Sequence, residues 1–129
     1  IDTQTNELEW INAGHPAAFG VTLDKEDFYL DPTGPLISSL GGSWEVKRRP
    51  FTPGDVVLGV TDGFLEGQAR DSGDPEGESA ALARVIRSLD APVRQHPEEI
   101  VQRLVAHIRE ISPRWHSDDV TLVALSRLY

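Results

Sequence analysis

The sequence contains no cysteine, so a disulfide framework, a thiol nucleophile, a zinc finger and an iron–sulfur site are all excluded. It also lacks any run of about eighteen apolar residues, the length that a membrane-spanning helix requires. The first residues carry neither the basic segment nor the apolar segment of a secretory signal peptide. We therefore expect a cytoplasmic protein without a membrane span.

Basic residues are scarce as well. Twelve lysines and arginines stand against 21 aspartates and glutamates, which gives a formal net charge of -9. Nucleic-acid backbones are bound through clustered cations, so this balance argues against a nucleic-acid partner. The basic run Lys47–Arg49 adjoins a predicted strand and is more typical of a solvated sheet edge than of a binding patch. If an acidic chain of this kind handles a phosphate group, metal ions are the expected source of neutralising charge.

Methionine is absent, even at position 1, and Ile1 leads almost directly into a strand-like segment. We therefore interpret the chain as a piece of a longer polypeptide. Its 129 residues correspond to about one domain. A chain of this length can bury a hydrophobic core without disulfides or metal ions to hold it together.

The order of the hydrophobic patterns predicts an α+β fold with a mostly antiparallel sheet, because strands come first, then helices, then a closing strand. Two apolar runs on either side of a turn-rich stretch, Leu8–Ile11 and Phe19–Leu23, predict a β-hairpin. A continuous apolar run at Val56–Val60 predicts a strand buried on both faces. The other predicted elements are strands at Phe28–Leu30, Trp44–Arg48 and Val120–Leu125, and helices around Leu82–Leu89 and from Pro97 to Ile111.

Two aspartates flank apolar runs that can pair. Asp62 closely follows Val56–Val60, and Asp118 closely precedes Val120–Leu125. In an antiparallel pair, the exit of one strand lies about 5 Å from the entrance of the other. Two carboxylates that close require a shared proton or a cation between them, and hard oxygen ligands suit magnesium, manganese or calcium. The spacing alone leaves open that both are ordinary turn residues bonding their own backbone.

The turn-rich stretch from Asn12 to Pro16 is a third candidate. Gly14 permits a backbone angle that other residues rarely adopt, and Asn12 and His15 can project polar groups from such a loop. A turn histidine that is merely exposed is the alternative. His116, two residues before Asp118, and Glu66, one helical turn beyond Asp62, are weaker candidates for the same site. The sequence has no serine nucleophile elbow, no P-loop and no dinucleotide-binding fingerprint.

Four short motifs follow one another along the chain. They are Asn12-Ala13-Gly14-His15-Pro16, Pro53-Gly54-Asp55, Thr61-Asp62-Gly63 with Glu66, and Asp118-Asp119-Val120-Thr121-Leu122. In this order they resemble the C-terminal part of the bacterial metal-dependent serine/threonine phosphatases of the SpoIIE/RsbU type, relatives of the protein phosphatase 2C (PPM) enzymes. The resemblance covers nearly the whole chain and implies a β-sandwich flanked by helices in an αββα arrangement.

The resemblance also implies a binuclear manganese or magnesium centre at one end of the sandwich. Carried over residue by residue, it makes Asp62 and Asp118 metal ligands and places Asp119 as a further carboxylate of the metal site. His15 and Asn12 become catalytic-site residues at its edge, as positioning or outer-shell groups. In such enzymes the metals lower the pKa of a bridging water, which attacks phosphorus directly without a covalent phosphoenzyme.

The implied substrate is a phosphoserine or phosphothreonine on an anti-sigma-factor antagonist of the STAS type. The output would be transcriptional control through partner switching, as in bacterial stress responses. The alternative is a degenerate or truncated module of the same fold that binds a signalling partner without turnover.

The chain departs from the family pattern at its N-terminal side. The family's Gly-Asp motif, which supplies another aspartate ligand and a carbonyl ligand, has no match in Ile1–Trp10, where Asp2 lacks the context. We therefore expect residues 1–129 to be a partial phosphatase domain that lacks its N-terminal part and is poorly active or inactive alone. Missing strands would leave open sheet edges, which an upstream segment or a second copy in a homodimer would cover.

Overall fold

The structure is a computed structural model that describes residues 1–61, 78–111 and 119–129. Within these ranges it contains six strands and three helices. None of these three helices is long and apolar enough to span a membrane. The elements are β1 Glu7–Trp10, β2 Ala18–Val21, β3 Asp27–Leu30, β4 Lys47–Pro50, β5 Val56–Val60, α1 Glu78–Ser88, α2 Ala91–Arg94, α3 Pro97–Ile111 and β6 Leu122–Ser126.

The strands form two antiparallel sheets, which confirms the predicted α+β class. One sheet has four strands in the order β3-β2-β5-β6, and the other pairs β1 with β4. The strand that ends before Asp62 pairs with the last strand, which is the pairing that the expected meeting of Asp62 and Asp118 requires. It runs in antiparallel register from Val56 opposite Ser126 to Val60 opposite Leu122.

The predicted hairpin between the first two strands is wrong. β1 pairs with β4, with Trp10 opposite Lys47, whereas β2 lies between β3 and β5. The reason is burial. β2 is covered on both faces and takes an interior place in the four-stranded sheet, but β1 buries only Leu8 fully and exposes Glu7 and Glu9. The turn-rich stretch, residues 11–17, therefore crosses from one sheet to the other, and we call it the crossover loop.

The core has two layers, one on each face of the four-stranded sheet. β5 divides its side chains between them: Val56, Leu58 and Val60 face the helices, and Val57 faces the two-stranded sheet. The helical stripes predicted from sequence supply the other side of the first layer, with Leu82, Ile86, Ile100, Leu104 and Ile108 fully buried. The second layer consists of Leu8, Phe28, Leu30, Phe51 and Val57.

The basic run lies in β4, which begins three residues later than predicted. Arg48 forms an ion pair with Glu9 on the neighbouring strand β1. The guanidinium of Arg49 lies 3.3 Å from the centroid of the Phe28 ring, and burial lowers the pKa of Arg49 from its ordinary value. Two of the three cations thus have partners within the fold.

Asp55 joins two turns at one end of the four-stranded sheet. Its Oδ1 accepts a hydrogen bond from the Leu23 amide at 2.9 Å. Its Oδ2 accepts from the amide and the hydroxyl of Thr52 at 2.8 and 3.2 Å. The residue is 3% exposed, and a buried carboxylate is tolerated only with donors of this kind. The Pro53-Gly54-Asp55 motif therefore has a structural role at this end of the sheet.

We predict that Asp55→Asn lowers the free energy of unfolding by about 2 kcal/mol, because one buried N–H of the turn would then face an amide NH₂ in place of an acceptor. Urea unfolding followed by tryptophan fluorescence measures the change. Asp24→Asn, on an exposed residue of the β2–β3 turn, is the matched control and should shift the midpoint little. An equal shift in both variants would contradict the structural role of Asp55.

Candidate active site

The strand register gathers several loops at one end of the sandwich. β5 ends there beside the start of β6, and β2 starts there beside the end of β3, with Ala18 opposite Leu30. The crossover loop joins this end through Asn12, whose side chain bonds the Leu30 carbonyl. Asp55 and the β2–β3 turn lie at the opposite end. The described candidates in the crossover loop and beside β5 and β6 thus share one end of the sheet.

Thr61 fastens the end of β5 to the chain that leads into β6. Its amide donates to the Thr121 carbonyl at 3.1 Å, and the Thr121 amide donates to the Thr61 hydroxyl at 2.9 Å. The same hydroxyl donates to the Asp119 carbonyl at 3.3 Å. The motif Thr61-Asp62-Gly63 does not by itself reveal this role of Thr61. Its place directly after a buried strand and before an aspartate was the available signal.

The metal-ligand set predicted from sequence falls largely outside the described residues. Asp62 and Asp118 lie there, as do Glu66 and His116. Asp119 is described: it is exposed and hydrogen-bonded through its backbone to Thr61. Aspartate oxygens are the donor type that manganese and magnesium prefer. In the described ranges, no three acidic or histidine side chains cluster closely enough to hold a metal ion, so those residues alone do not complete a ligand set.

The side chain of Asn12 holds the crossover loop in shape. Its Oδ1 accepts from the His15 amide at 2.9 Å, and its Nδ2 donates to the carbonyls of His15 and Leu30 at 3.0 and 3.2 Å. Its backbone is tied to Thr33, whose amide donates to the Asn12 carbonyl at 2.8 Å and whose hydroxyl accepts from the Asn12 amide at 3.1 Å. Asn12 and Thr33 are both buried. The described contacts of Asn12 therefore fix the loop that carries His15.

Gly14 allows the crossover loop to pack against the segment that follows β3. Its φ is +97°, and a Cβ added there would come within 2.7 Å of Leu36 Cδ1 and 3.1 Å of Leu36 Cα. Both facts require glycine. His15, the next residue, is exposed, and its Nδ1 lies 2.8 Å from the Pro16 carbonyl oxygen. Because a carbonyl only accepts, this contact requires the proton on Nδ1 and leaves the lone pair of the neutral ring on Nε2.

An open depression of about 450 Å³ lies between these segments. The described residues that line it are Ala13, Gly14, His15 and Pro16 from the crossover loop, Leu36 and Ile37 from the segment after β3, and Thr61. His15 therefore shares a cavity with the residue that directly precedes Asp62. We call this cavity the rim depression.

Solved structures share this fold. Two antiparallel sheets with helices on the outer face of one of them are also found in phosphatase domains of the protein phosphatase 2C type, which superpose on nearly the whole chain. The family follows from the sequence itself. The family model for stage II sporulation protein E (SpoIIE) matches residues 1–128, and the chain belongs to this family.

Individual relatives support the assignment to this family. Protein IcfG from Synechocystis sp. is 28% identical over 131 residues, which cover 98% of this chain and 19% of IcfG. The structure of the RsbU and RsbW domains of Rv1364c from Mycobacterium tuberculosis matches with a TM-score of 0.76 at 29% identity, over 99% of this chain and 35% of that one. The Mn-presoaked phosphatase domain of SpoIIE from Bacillus subtilis matches with a TM-score of 0.72 at 19% identity, over 100% of this chain and 54% of that one. The chain thus spans only part of each relative.

We predict that Asn12→Asp lowers the free energy of unfolding by about 2 kcal/mol, because the new carboxylate cannot donate to the carbonyls of His15 and Leu30. Thermal unfolding measures the loss, and amide hydrogen exchange at residues 13–15 should rise with it. His15→Ala is the control, since among the described residues the exposed ring bonds only the adjacent Pro16 carbonyl, and its removal should leave both readouts nearly unchanged. Protection of the loop that survives in Asn12→Asp would contradict the account.

Proposed function

We propose that this chain carries part of the active site of a metal-dependent protein serine/threonine phosphatase, in which a metal-activated water hydrolyses phosphoserine or phosphothreonine. The observation that carries the proposal is the β5–β6 ladder and its continuation through Thr61. Membership of the SpoIIE family and the phosphatase fold support the reaction class.

The β5–β6 ladder is linked to the proposed metal ligands, Asp62 and Asp118, because each of them adjoins a residue that extends the ladder. Thr61 directly precedes Asp62, and Asp119 directly follows Asp118, and these two neighbours are hydrogen-bonded to each other. Consecutive Cα atoms are about 3.8 Å apart, so each proposed ligand is one residue away from this contact. Two carboxylates that meet at such a point would repel one another unless a cation lay between them. We therefore propose Asp62 and Asp118 as ligands of a divalent ion, with Asp119 as a further carboxylate of the same site.

We propose a binuclear manganese or magnesium centre at this position. The Mn-presoaked crystal of the Bacillus subtilis SpoIIE domain supports the choice of metal. When bound, such ions supply positive charge and a water of lowered pKa. The aspartate oxygens of the chain would then hold the ions, and other residues of the chain would position the substrate beside them. For an acidic chain, this charge is what makes a phosphate group acceptable as a ligand.

His15 and Asn12 have separate roles in this proposal. The Nε2 lone pair of His15 is suited to position a water or to receive a proton at the edge of the site. Asn12 holds the loop in the conformation that places His15 on the rim depression. We thus propose His15 as the residue that meets the substrate, and Asn12 as a positioning residue that acts through it.

We extend the proposal to the substrate, a phosphorylated anti-sigma-factor antagonist of the STAS type in a bacterial partner-switching pathway. The similarity to a structure that contains an RsbU domain and an RsbW domain supports this setting. Expected consequences are sigma-factor control and a place in a stress response.

We also propose that residues 1–129 form a partial domain whose metal centre is completed by ligands outside this range. The chain spans 54% of the Bacillus subtilis phosphatase domain that it matches. The two-stranded sheet covers only part of its larger partner: Val123 and Leu125 of β6 are 59% and 39% exposed on the face that Val57 turns toward the second sheet. A further segment of the same polypeptide or a second copy of the chain would cover this face.

We predict that Asp62→Ala and Asp118→Ala each lower manganese-dependent phosphatase activity at least about 100-fold, because each removes a metal ligand. The assay uses the full-length protein that contains this chain, with p-nitrophenyl phosphate and a phosphoserine peptide as substrates. Asp24→Ala, an exposed aspartate at the opposite end of the sheet, is the matched control. Unchanged activity in both ligand variants would end the proposal.

Calorimetric titration with manganese separates catalysis from the alternative, a partner-binding module without turnover. The phosphatase proposal predicts manganese binding that Asp62→Ala and Asp118→Ala weaken and Asp24→Ala leaves intact. A protein that binds a phosphorylated antagonist but neither binds manganese nor hydrolyses phosphate would support the alternative.

A further inference from the structure

The segment that follows β3 is held rigidly. The Thr33 amide donates to the Asn12 carbonyl at 2.8 Å, and the Thr33 carbonyl accepts from the Glu45 amide at 3.1 Å. The indole of Trp44 donates to the Pro35 carbonyl at 2.7 Å. Gly34 packs so closely that an added Cβ would come within 2.6 Å of the Trp44 ring. Hydrogen bonds on both sides thus fix the backbone up to Pro35.

The two residues that directly follow this fixed segment present large apolar side chains to water. Leu36 is 68% exposed and Ile37 is 73% exposed. Single exposed apolar residues are common on protein surfaces, but these two are adjacent, and Leu36 is also the residue against which Gly14 packs. Loops that a rigid scaffold positions often carry binding residues, and an adjacent pair of exposed apolar side chains on such a loop suits contact with a partner.

The two side chains lie in the same depression as the proposed active-site residue His15. Leu36 and Ile37 line the rim depression together with His15 and Thr61. Leu40, in the same loop and 95% exposed, is not among its lining residues. A substrate whose phosphate lies near Asp62 would therefore place a neighbouring residue against Leu36 and Ile37.

We propose that Leu36 and Ile37 form an apolar subsite for an uncharged, apolar residue adjacent to the phosphorylated serine or threonine of the substrate protein. The inference rests on the proposed function and adds a specificity determinant to it. The described lining contains no acidic and no lysine or arginine side chain, and the Leu36 and Ile37 side chains themselves offer no partner to a charged group. An apolar substrate residue gains contact area there, whereas a charged one would lose hydration without compensation.

The test uses the full-length protein with manganese and two phosphoserine peptides that carry Leu or Asp on either side of the phosphoserine. We expect the Leu peptide to have about a tenfold higher kcat/KM, in line with partial burial of one leucine side chain. Ile37→Ser should reduce this preference to within about twofold and leave hydrolysis of p-nitrophenyl phosphate nearly unchanged. Leu40→Ser, the matched control in the same loop, should preserve the preference.

Three results would overturn the subsite. These are equal kcat/KM for both peptides in the wild type, a preference that survives in Ile37→Ser, and an equal loss in Ile37→Ser and Leu40→Ser. Fluorescence anisotropy with labelled peptides separates this inference from the proposed function, because it requires no turnover. A protein that hydrolyses neither substrate, yet binds the Leu peptide more tightly and loses that preference in Ile37→Ser, would support the subsite and contradict the phosphatase proposal.

Discussion

The pairing of β5 with β6 is the constraint on which the candidate site depends. β5 is buried on both faces, with Val56 and Val60 against the helices and Val57 against the second sheet. β6 packs Leu122 and Ala124 into the helical layer, and a shift of one residue in register would put Val123 and Leu125 there instead, so core packing opposes such a shift. The register ends with Val60 opposite Leu122. Hydrogen bonds between Thr61 and Thr121 extend the pairing by one residue. The meeting point of the two chain segments is thus a consequence of core packing.

A second constraint shapes the rim of that meeting point. Asn12 and Thr33 lie 21 positions apart and exchange backbone and side-chain hydrogen bonds, which lock the crossover loop against the segment after β3. Gly14 removes the side chain that would separate them. The rim depression is the space left between these locked segments and Thr61. The proposed chemistry and the proposed substrate recognition would therefore share one rigid frame at one end of the sheet.

Much of this frame was predictable because its signals are local. The apolar run of β5, the stripe of α3 after Pro97 and the succession of strands, helices and a closing strand are all visible as patterns in the sequence. The pairing of β1 was not, since it depends on which strand is buried on both faces, and α2 is too short to show a helical period. Arg94 at its end is 2% exposed and donates to the carbonyls of Thr22 and Leu23, contacts some 70 positions away that no local pattern encodes. The hydrogen bonds of Asn12 to Leu30 and Thr33 could not be predicted for the same reason, since these partners are 18 and 21 positions away. The roles of Asp62, Asp118, Asp119, His15 and Asn12 stay predictions.

The central claim is that Asp62 and Asp118 share divalent cations at the end of the β5–β6 ladder. Anomalous X-ray diffraction at the manganese absorption edge, on crystals of the full-length protein soaked in manganese, tests it most directly. The account predicts an anomalous peak within about 2.5 Å of a carboxylate oxygen from each aspartate. Peaks elsewhere, with the two side chains on different faces of the molecule, would contradict it.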